Sequence, residues 1–282
     1  MRGSSRVSEW IRSARRIQQI LSEQKRPLRF IVSRLLWRLG ISHWFIIQRE
    51  GYRLRFFPTS LSAEYWINPF TRCDDELFLK QNLGAGDYVI DVGANVGTIA
   101  LAAATLVGRQ GTVIAIEPHP RTSGYLQANV RLNDLPNITV LNMAVGKESG
   151  AIMFSDIRND DQNCVVNMSP LVVPMATLDS LLLGEERRVK LLKIDVEGYE
   201  LPVLQGGERT LRRTDCVYFE SWEKHYNKYG YTCGDLIRQL NGWGFSVYKR
   251  VEAGELREVG PQYSSVVCEN LVALSRGRGG SA

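Results

Sequence analysis

From Tyr88 onward the chain alternates short apolar runs with amphipathic stretches. The runs "YVID" (88–91), "TVIAIE" (112–117), "ITVLNM" (138–143), "VKLLKID" (189–195) and "CVYFES" (216–221) have the length and composition of strands, with helical patterns between most of them. Strand–helix alternation predicts an α/β domain built on a parallel sheet with right-handed crossovers. Residues 144–182 interrupt the alternation and read as a strand pair around a polar loop, 156–163, of the kind that carries recognition on a rigid scaffold. After Ser221, "YTCGDLIRQLNGWGFSVYKR" reads as helix, glycine turn and strand, and "SSVVCENLVALS" as a final strand. Such a closure puts an antiparallel edge on a parallel sheet.

The first 55 residues follow another pattern. Trp10, Ile11, Ala14, Ile17, Ile20 and Leu21 recur at helical spacing with Arg12, Arg15, Arg16 and Gln19 between them, until Pro27 breaks the period. Residues 1–55 hold 13 Lys/Arg against 3 Asp/Glu, a net +10, which leaves −5 on the remainder of a chain whose total is +5. Three regions follow: a basic helical arm (1–55), one large domain (56–275) and a Gly/Ser-rich tail (276–282) expected to be disordered. Two roles fit residues 1–40: a helix docked on its own domain, or peripheral contact with an anionic membrane or acidic partner. No nucleic-acid-reading module is visible. The most apolar stretch, "FIVSRLLWRLGISHWFII", carries Arg34 and Arg38 and cannot span a bilayer, so a cytoplasmic location is expected. The five cysteines show neither metal-binding nor disulfide spacing.

The chemistry concentrates where the first strand of the domain ends, in "DYVIDVGANVGTIALAAA". A strand ending at Asp91, a turn through Gly93, Ala94, Asn95, Val96 and Gly97, and a helix from about Val96 would aim free amides at the strand's end. One unit later "IAIEPHP" puts Glu117 where an acid can accept both hydroxyls of a ribose, with Pro118 and His119 at the same corner. The turn lacks the middle glycine of a dinucleotide fingerprint, Asn95 standing there, and no Gly-Lys-Ser/Thr follows it. A nucleoside without phosphates fits better. Asp91 suits an ammonium group, and S-adenosylmethionine supplies an ammonium, a ribose and no phosphate.

With "VIDVGANVG", "AIEPHP", "NMAVGKESG" and above all "LLKIDVEGYELPVLQGG", residues 76–220 resemble the FkbM-type family of S-adenosylmethionine-dependent methyltransferases. The resemblance implies a class I methyltransferase (Rossmann-like) fold with a seven-stranded, mostly parallel sheet, helices on both faces and the last strand antiparallel. It implies methyl transfer to hydroxyl oxygens of small molecules, sugars or polyketides. By position, Asp91, Gly93, Asn95 and Gly97 form the cofactor turn, Glu117 holds the ribose and Ala144 lies beside the adenine. Asp195, Glu197 and Gly198 then face the methyl donor.

A hydroxyl acceptor must lose its proton as the new bond forms, so a placed base is expected. Asp195 is the first candidate and His225 the second, with Glu197 orienting the acceptor and Glu220 able to touch it. Each residue also has a plain structural role open to it. Asp91 can cap a strand, Asp195 and Glu197 can serve a helix N-terminus, and Glu220 and His225 can simply be solvated. Trp66 and Phe70 can roof the pocket or belong to a core. No metal is chemically required, although a divalent ion on Asp195 and Glu197 is conceivable. Two competing classes are a catalytically silent methyltransferase-like domain and an NAD-dependent oxidoreductase. Asn95 and the lack of a Tyr-x-x-x-Lys group argue against the latter.

Overall fold

The computed structural model describes residues 26–157, 163–251 and 255–277. The amphipathic stretch 8–21, the centre of the 156–163 loop and the end of the tail lie outside the described residues. The chain forms two compact units, 1–73 and 74–282. This division falls beyond residue 55, where the charge pattern puts it, because more structure follows the basic stretch within the first unit.

In the first unit α1 (Pro27–Arg38) begins at the proline that ends the earlier helical period. Proline has no N–H to offer, and the first helical position needs none, so Pro27 opens a helix here. The arm is not wholly helical. β1 (Ile46–Gln48) and β2 (Arg53–Arg55) form an antiparallel hairpin that pairs buried Ile47 with buried Leu54. α2 (Ser60–Ile67) follows, capped by the Thr59 side chain. Trp66 stacks on Phe56 at 4.9 Å between centroids and is a packing residue of this unit, whereas Phe70 is exposed.

The second unit opens with α3 (Cys73–Asn82) and then alternates as the pattern predicts. In chain order it holds β3 (Tyr88–Val92), α4 (Thr98–Val107), β4 (Thr112–Ile116), α5 (Pro120–Asn133) and β5 (Ile138–Leu141). A small sheet of β6 (Ala144–Val145), β7 (Gly150–Met153) and β8 (Val172–Ala176) comes next, with β7 antiparallel to β8 at the base of the polar loop. Then follow α6 (Leu178–Leu181), β9 (Val189–Ile194), α7 (Glu200–Gln205), α8 (Glu208–Leu211), β10 (Thr214–Ser221) and α9 (Glu223–Tyr226). The chain closes with α10 (Cys233–Gly242), β11 (Phe245–Arg250), β12 (Leu256–Val259) and β13 (Glu269–Ser275).

The large sheet has eight strands in the order β12-β11-β13-β10-β9-β3-β4-β5, not seven. β3, β4, β5, β9 and β10 are parallel, and β13 lies antiparallel to β10 and β11 as the closing pattern predicts. The extra strand, β12, pairs with β11 at the edge and reads "LREV". Short, charged edge strands resist further pairing but carry no apolar signature.

Helices cover both faces. Val203 and Leu204 of α7 and Leu236, Ile237 and Leu240 of α10 share one buried cluster with Ile90, Val92, Leu192, Ile194, Val217 and Phe219. Tyr218 points the other way, as strand alternation requires, and Phe78 of α3 stacks on it at 4.3 Å. The chain moves outward from β3 through β4 and β5, then returns to β9 on β3's other side. A crevice therefore opens beyond the carboxyl ends of β3 and β9, the place where such sheets bind ligands.

Candidate active site

Every amide of the turn after β3 has a partner within the protein. Those of Gly93 and Ala94 donate to Ile116 O at 2.9 and 3.0 Å, and Gly97's to Ala94 O at 2.8 Å. Asn95's amide donates to Glu117 Oε2 at 2.9 Å and Val96's to the Asn95 side chain at 2.7 Å. The helix begins at Thr98, two residues later than the pattern predicts, and residues 93–97 aim no free amide at a ligand. A turn so satisfied offers nothing to a pyrophosphate, which needs free amides.

Gly93 has φ +78°, and a β-carbon there would lie 1.8 Å from the Asp195 carbonyl oxygen. The glycine thus admits the backbone of the β9 turn. Ala94 and Val96 are buried, and Asn129 Nδ2 donates to Val96 O at 2.8 Å.

Glu117 lies just beyond β4 and is 6% exposed. Its Oε2 accepts from Asn95 and its Oε1 from the His119 amide at 2.8 Å. Each carboxylate oxygen keeps a further lone pair, so two hydroxyls can still be accepted, and the carboxylate fits the ribose of S-adenosylmethionine. Desolvation pushes Glu117's pKa up to about 7 against the pull of those two amides. Asn142 Nδ2 clamps the same corner, donating to Glu117 O at 2.8 Å and Pro118 O at 3.0 Å. His119 caps α5 and meets Asp156 Oδ1 at 3.2 Å through Nε2, which ties the polar loop to this corner. Ala144 is buried in the small sheet against Phe154, Val173 and Met175.

Asp91 is fully buried, and its partner is a side chain that sequence reading passed over. Lys193 Nζ stands 3.3 Å from Asp91 Oδ1, 3.3 Å from Asp195 Oδ2 and 3.1 Å from Gly93 O. Asp91 and Lys193 are register partners on neighbouring parallel strands, so their side chains share a face. Asp91 thus pairs with an ammonium from the protein itself. Burial raises its pKa, and Lys193 opposes that shift. One cation between two carboxylates leaves no excess positive charge to repel a sulfonium ligand.

Beyond Asp195 the chain turns sharply, with Glu197 at φ +58° and Gly198 at +103°. Glu200, 1% exposed, holds the turn from below by accepting from Val196 N at 3.1 Å and Gly198 N at 3.3 Å. Desolvation raises Glu200's pKa to about 8. Tyr231 closes the arrangement by donating to Gly198 O at 2.6 Å. The turn brings Glu197 to His225, whose Nδ1 lies 3.2 Å from Glu197 Oε2 and 3.7 Å from Glu220 Oε2. The Cys268 thiol donates to Glu220 Oε1 at 3.1 Å. Desolvation and the Glu220 charge raise its pKa, which keeps it a donor.

The fold therefore groups Asp91, Asp195, Glu197, Glu220 and His225 along one edge and Glu117 with His119 at the adjacent corner. Lys193, Glu200, Asn142 and Cys268 were not picked out from sequence. Lys193 carried a signal, a lysine inside an otherwise apolar strand, whereas Asn142 and Cys268 carried none.

A profile described as "Methyltransferase FkbM domain" matches residues 91–247, more than half the chain. The hexuronic acid methyltransferase AglP of Haloferax volcanii is 30% identical over 181 residues, 62% of this chain and 73% of that protein. Methyltransferase 1 of Beauveria bassiana is 25% identical over 144 residues, 42% of this chain and 57% of that protein. Among solved structures, methyltransferase FkbM from Methylobacillus flagellatus is similar with a TM-score of 0.43 and 16% identity, over 67% of this chain and 43% of that one.

Proposed function

We propose that this chain, which belongs to the FkbM family of S-adenosylmethionine-dependent methyltransferases, methylates a hydroxyl oxygen on a sugar-like acceptor of the hexuronic acid type. The observation that carries the reading is the acidity of the edge facing the crevice. Asp195, Glu197 and Glu220 are 24%, 16% and 18% exposed there. Ionised carboxylates accept hydrogen bonds from a hydroxyl, which a sugar's own carboxylate group cannot donate, so the edge favours a neutral hydroxyl over the acid group of such a sugar.

When bound, S-adenosylmethionine supplies an electrophilic methyl group on a sulfonium. The residues of the chain do the rest. Glu117 holds the ribose hydroxyls through its remaining lone pairs. Lys193 fixes the carboxylates of Asp91 and Asp195 on either side of its ammonium. Asp195 takes the acceptor proton on a carboxylate oxygen, while Glu197 and His225 orient the acceptor.

The reading is tested with methyl-labelled S-adenosylmethionine and a panel of uronic acids and neutral sugars, comparing wild type with Asp195→Asn. Label should enter an alkali-stable ether, and Asp195→Asn should lower turnover by roughly 10²-fold with cofactor affinity little changed. Label released by mild alkali would mean a methyl ester and overturn the hydroxyl assignment. A fully active Asp195→Asn would remove Asp195 as the base.

The first unit supports peripheral attachment to an anionic membrane. Leu28, Ile31, Val32, Leu35 and Leu39 recur at helical spacing along α1 and are 78%, 47%, 42%, 53% and 59% exposed. Arg26, Arg29, Arg34 and Arg38 accompany this stripe. Apolar stripes flanked by arginines suit an interface with negative headgroups. No helix among the described residues is long and apolar enough to cross a membrane. The protein should co-sediment with vesicles containing phosphatidylglycerol, and Leu28→Glu with Leu35→Glu should abolish this. Equal sedimentation of both proteins would refute the attachment.

A further inference from the structure

We infer that Glu197, Glu220 and His225 form a binding site for one divalent first-row cation of the manganese type, at the carboxyl edge between β9 and β10. The inference deepens the reading of this edge as the acceptor side and rests on it for its role, though not for its test.

The donor set is two carboxylates and an imidazole, and one ligand atom from each lies within 4.8 Å of the others. Oxygen with a single imidazole nitrogen suits manganese, iron or zinc. Ligand atoms about 2.1 Å from an ion and roughly at right angles to one another stand ~3.0–3.4 Å apart. His225 Nδ1 and Glu197 Oε2 are 3.2 Å apart, and Glu220 Oε2 is 3.7 Å from the same nitrogen. With all three ligand atoms within 4.8 Å of one another, small side-chain adjustments would bring them to one ion.

The imidazole itself supplies an independent observation. Nδ1 is buried and makes no hydrogen bond in the structure, although two carboxylate oxygens lie close to it. A buried nitrogen between two acids without hydrogen-bond geometry is unusual for a satisfied pair and expected for a metal ligand. The surroundings also hold the ligands in place. A β-carbon on Gly198 would lie 2.7 Å from His225 O, so this close backbone approach sets Glu197 beside the histidine. The Trp222 ring packs 4.4 Å from the imidazole. Cys268 occupies Glu220 Oε1 and leaves Oε2 for the cluster.

Three protein ligands leave coordination positions open. A hydroxyl of a sugar-like acceptor, or two neighbouring ones, can enter them, and coordination lowers the pKa of a bound hydroxyl. The O–H proton would pass to the Asp195 carboxylate, and the oxygen's electron pair would form the new bond to the methyl carbon as the carbon–sulfur bond breaks and its pair returns to sulfur, releasing a neutral thioether.

The test needs neither cofactor nor acceptor. The chain has three histidines, His43, His119 and His225. Substoichiometric Mn²⁺ added to the whole wild-type protein should broaden the NMR signals of one histidine and spare the other two, with assignment by His43→Gln and His119→Gln. Calorimetry should give one Mn²⁺ per chain, with affinity at least tenfold weaker in Glu220→Gln at unchanged melting temperature. Absence of Mn²⁺ binding, broadening of His43 or His119 in place of His225, or equal affinity in a folded Glu220→Gln would each overturn the site. A protein that binds Mn²⁺ this way but methylates no hydroxyl would instead remove the acceptor reading and leave the cation site standing.

Discussion

The corner at Gly93 and Glu117 and the acidic edge at Glu197, Glu220 and His225 lie side by side at the carboxyl ends of one sheet, yet they are built in opposite ways. Around Gly93 and Glu117 every turn amide is paired, and the glycine is pressed against backbone from the next strand. Around Glu197, Glu220 and His225 two carboxylates crowd an imidazole whose buried Nδ1 makes no hydrogen bond. The first arrangement is rigid before any ligand arrives, which limits the ordering cost of binding. The second keeps donors and acceptors for something that comes from outside. Lys193 joins the two, because its ammonium touches Asp91 and Gly93 on one side and Asp195 on the other.

The contrast breaks most severely at Gly93. Gly93→Ala sets a β-carbon on the Asp195 carbonyl at a φ of +78°, so both strand ends must move apart. Stability should fall by more than about 3 kcal/mol, with cofactor binding lost alongside. Thermal melting and calorimetry measure the two effects, and an unperturbed Gly93→Ala protein would show that the closed corner is not rigid.

A smaller effect sharpens the comparison through pH. In the proposed reading ribose hydroxyls would donate to the ionised form of Glu117, whose pKa is raised to about 7 by desolvation. Below that pH the carboxyl is protonated and must lose its proton before it can accept both hydroxyls. Cofactor affinity should therefore weaken by up to about tenfold per pH unit as pH falls below about 7, and level off above it. Glu117→Gln should weaken binding by roughly 1–3 kcal/mol at neutral pH and abolish the slope. Calorimetric titrations from pH 5.5 to about 8 test both. A slope that survives in Glu117→Gln would assign the titration to another group.

The order of strands and helices from Tyr88 to Ser221, the turn at Gly93 and the acids Asp91, Glu117, Asp195 and Glu197 were legible in the sequence. Apolar periodicity and turn composition are local properties, and the acids stand at strand ends that periodicity locates. The family resemblance rests on the same short segments. What a residue touches is not local. Only the tertiary structure decided that Asp91 faces Lys193, a residue 102 positions away whose register is set by strand pairing. It alone decided that the space beside Gly93 is filled by the Asp195 carbonyl, and that His225 and Glu220 meet Glu197 across a sharp turn. β12 leaves no apolar pattern in the sequence because a short charged edge strand is held mainly by its neighbour's hydrogen bonds, with only Val259 packed on the core. Local pattern determined the elements and the chemistry available to them. The pairing of distant strands, which brings those groups within a few ångströms, determined which of them can act together.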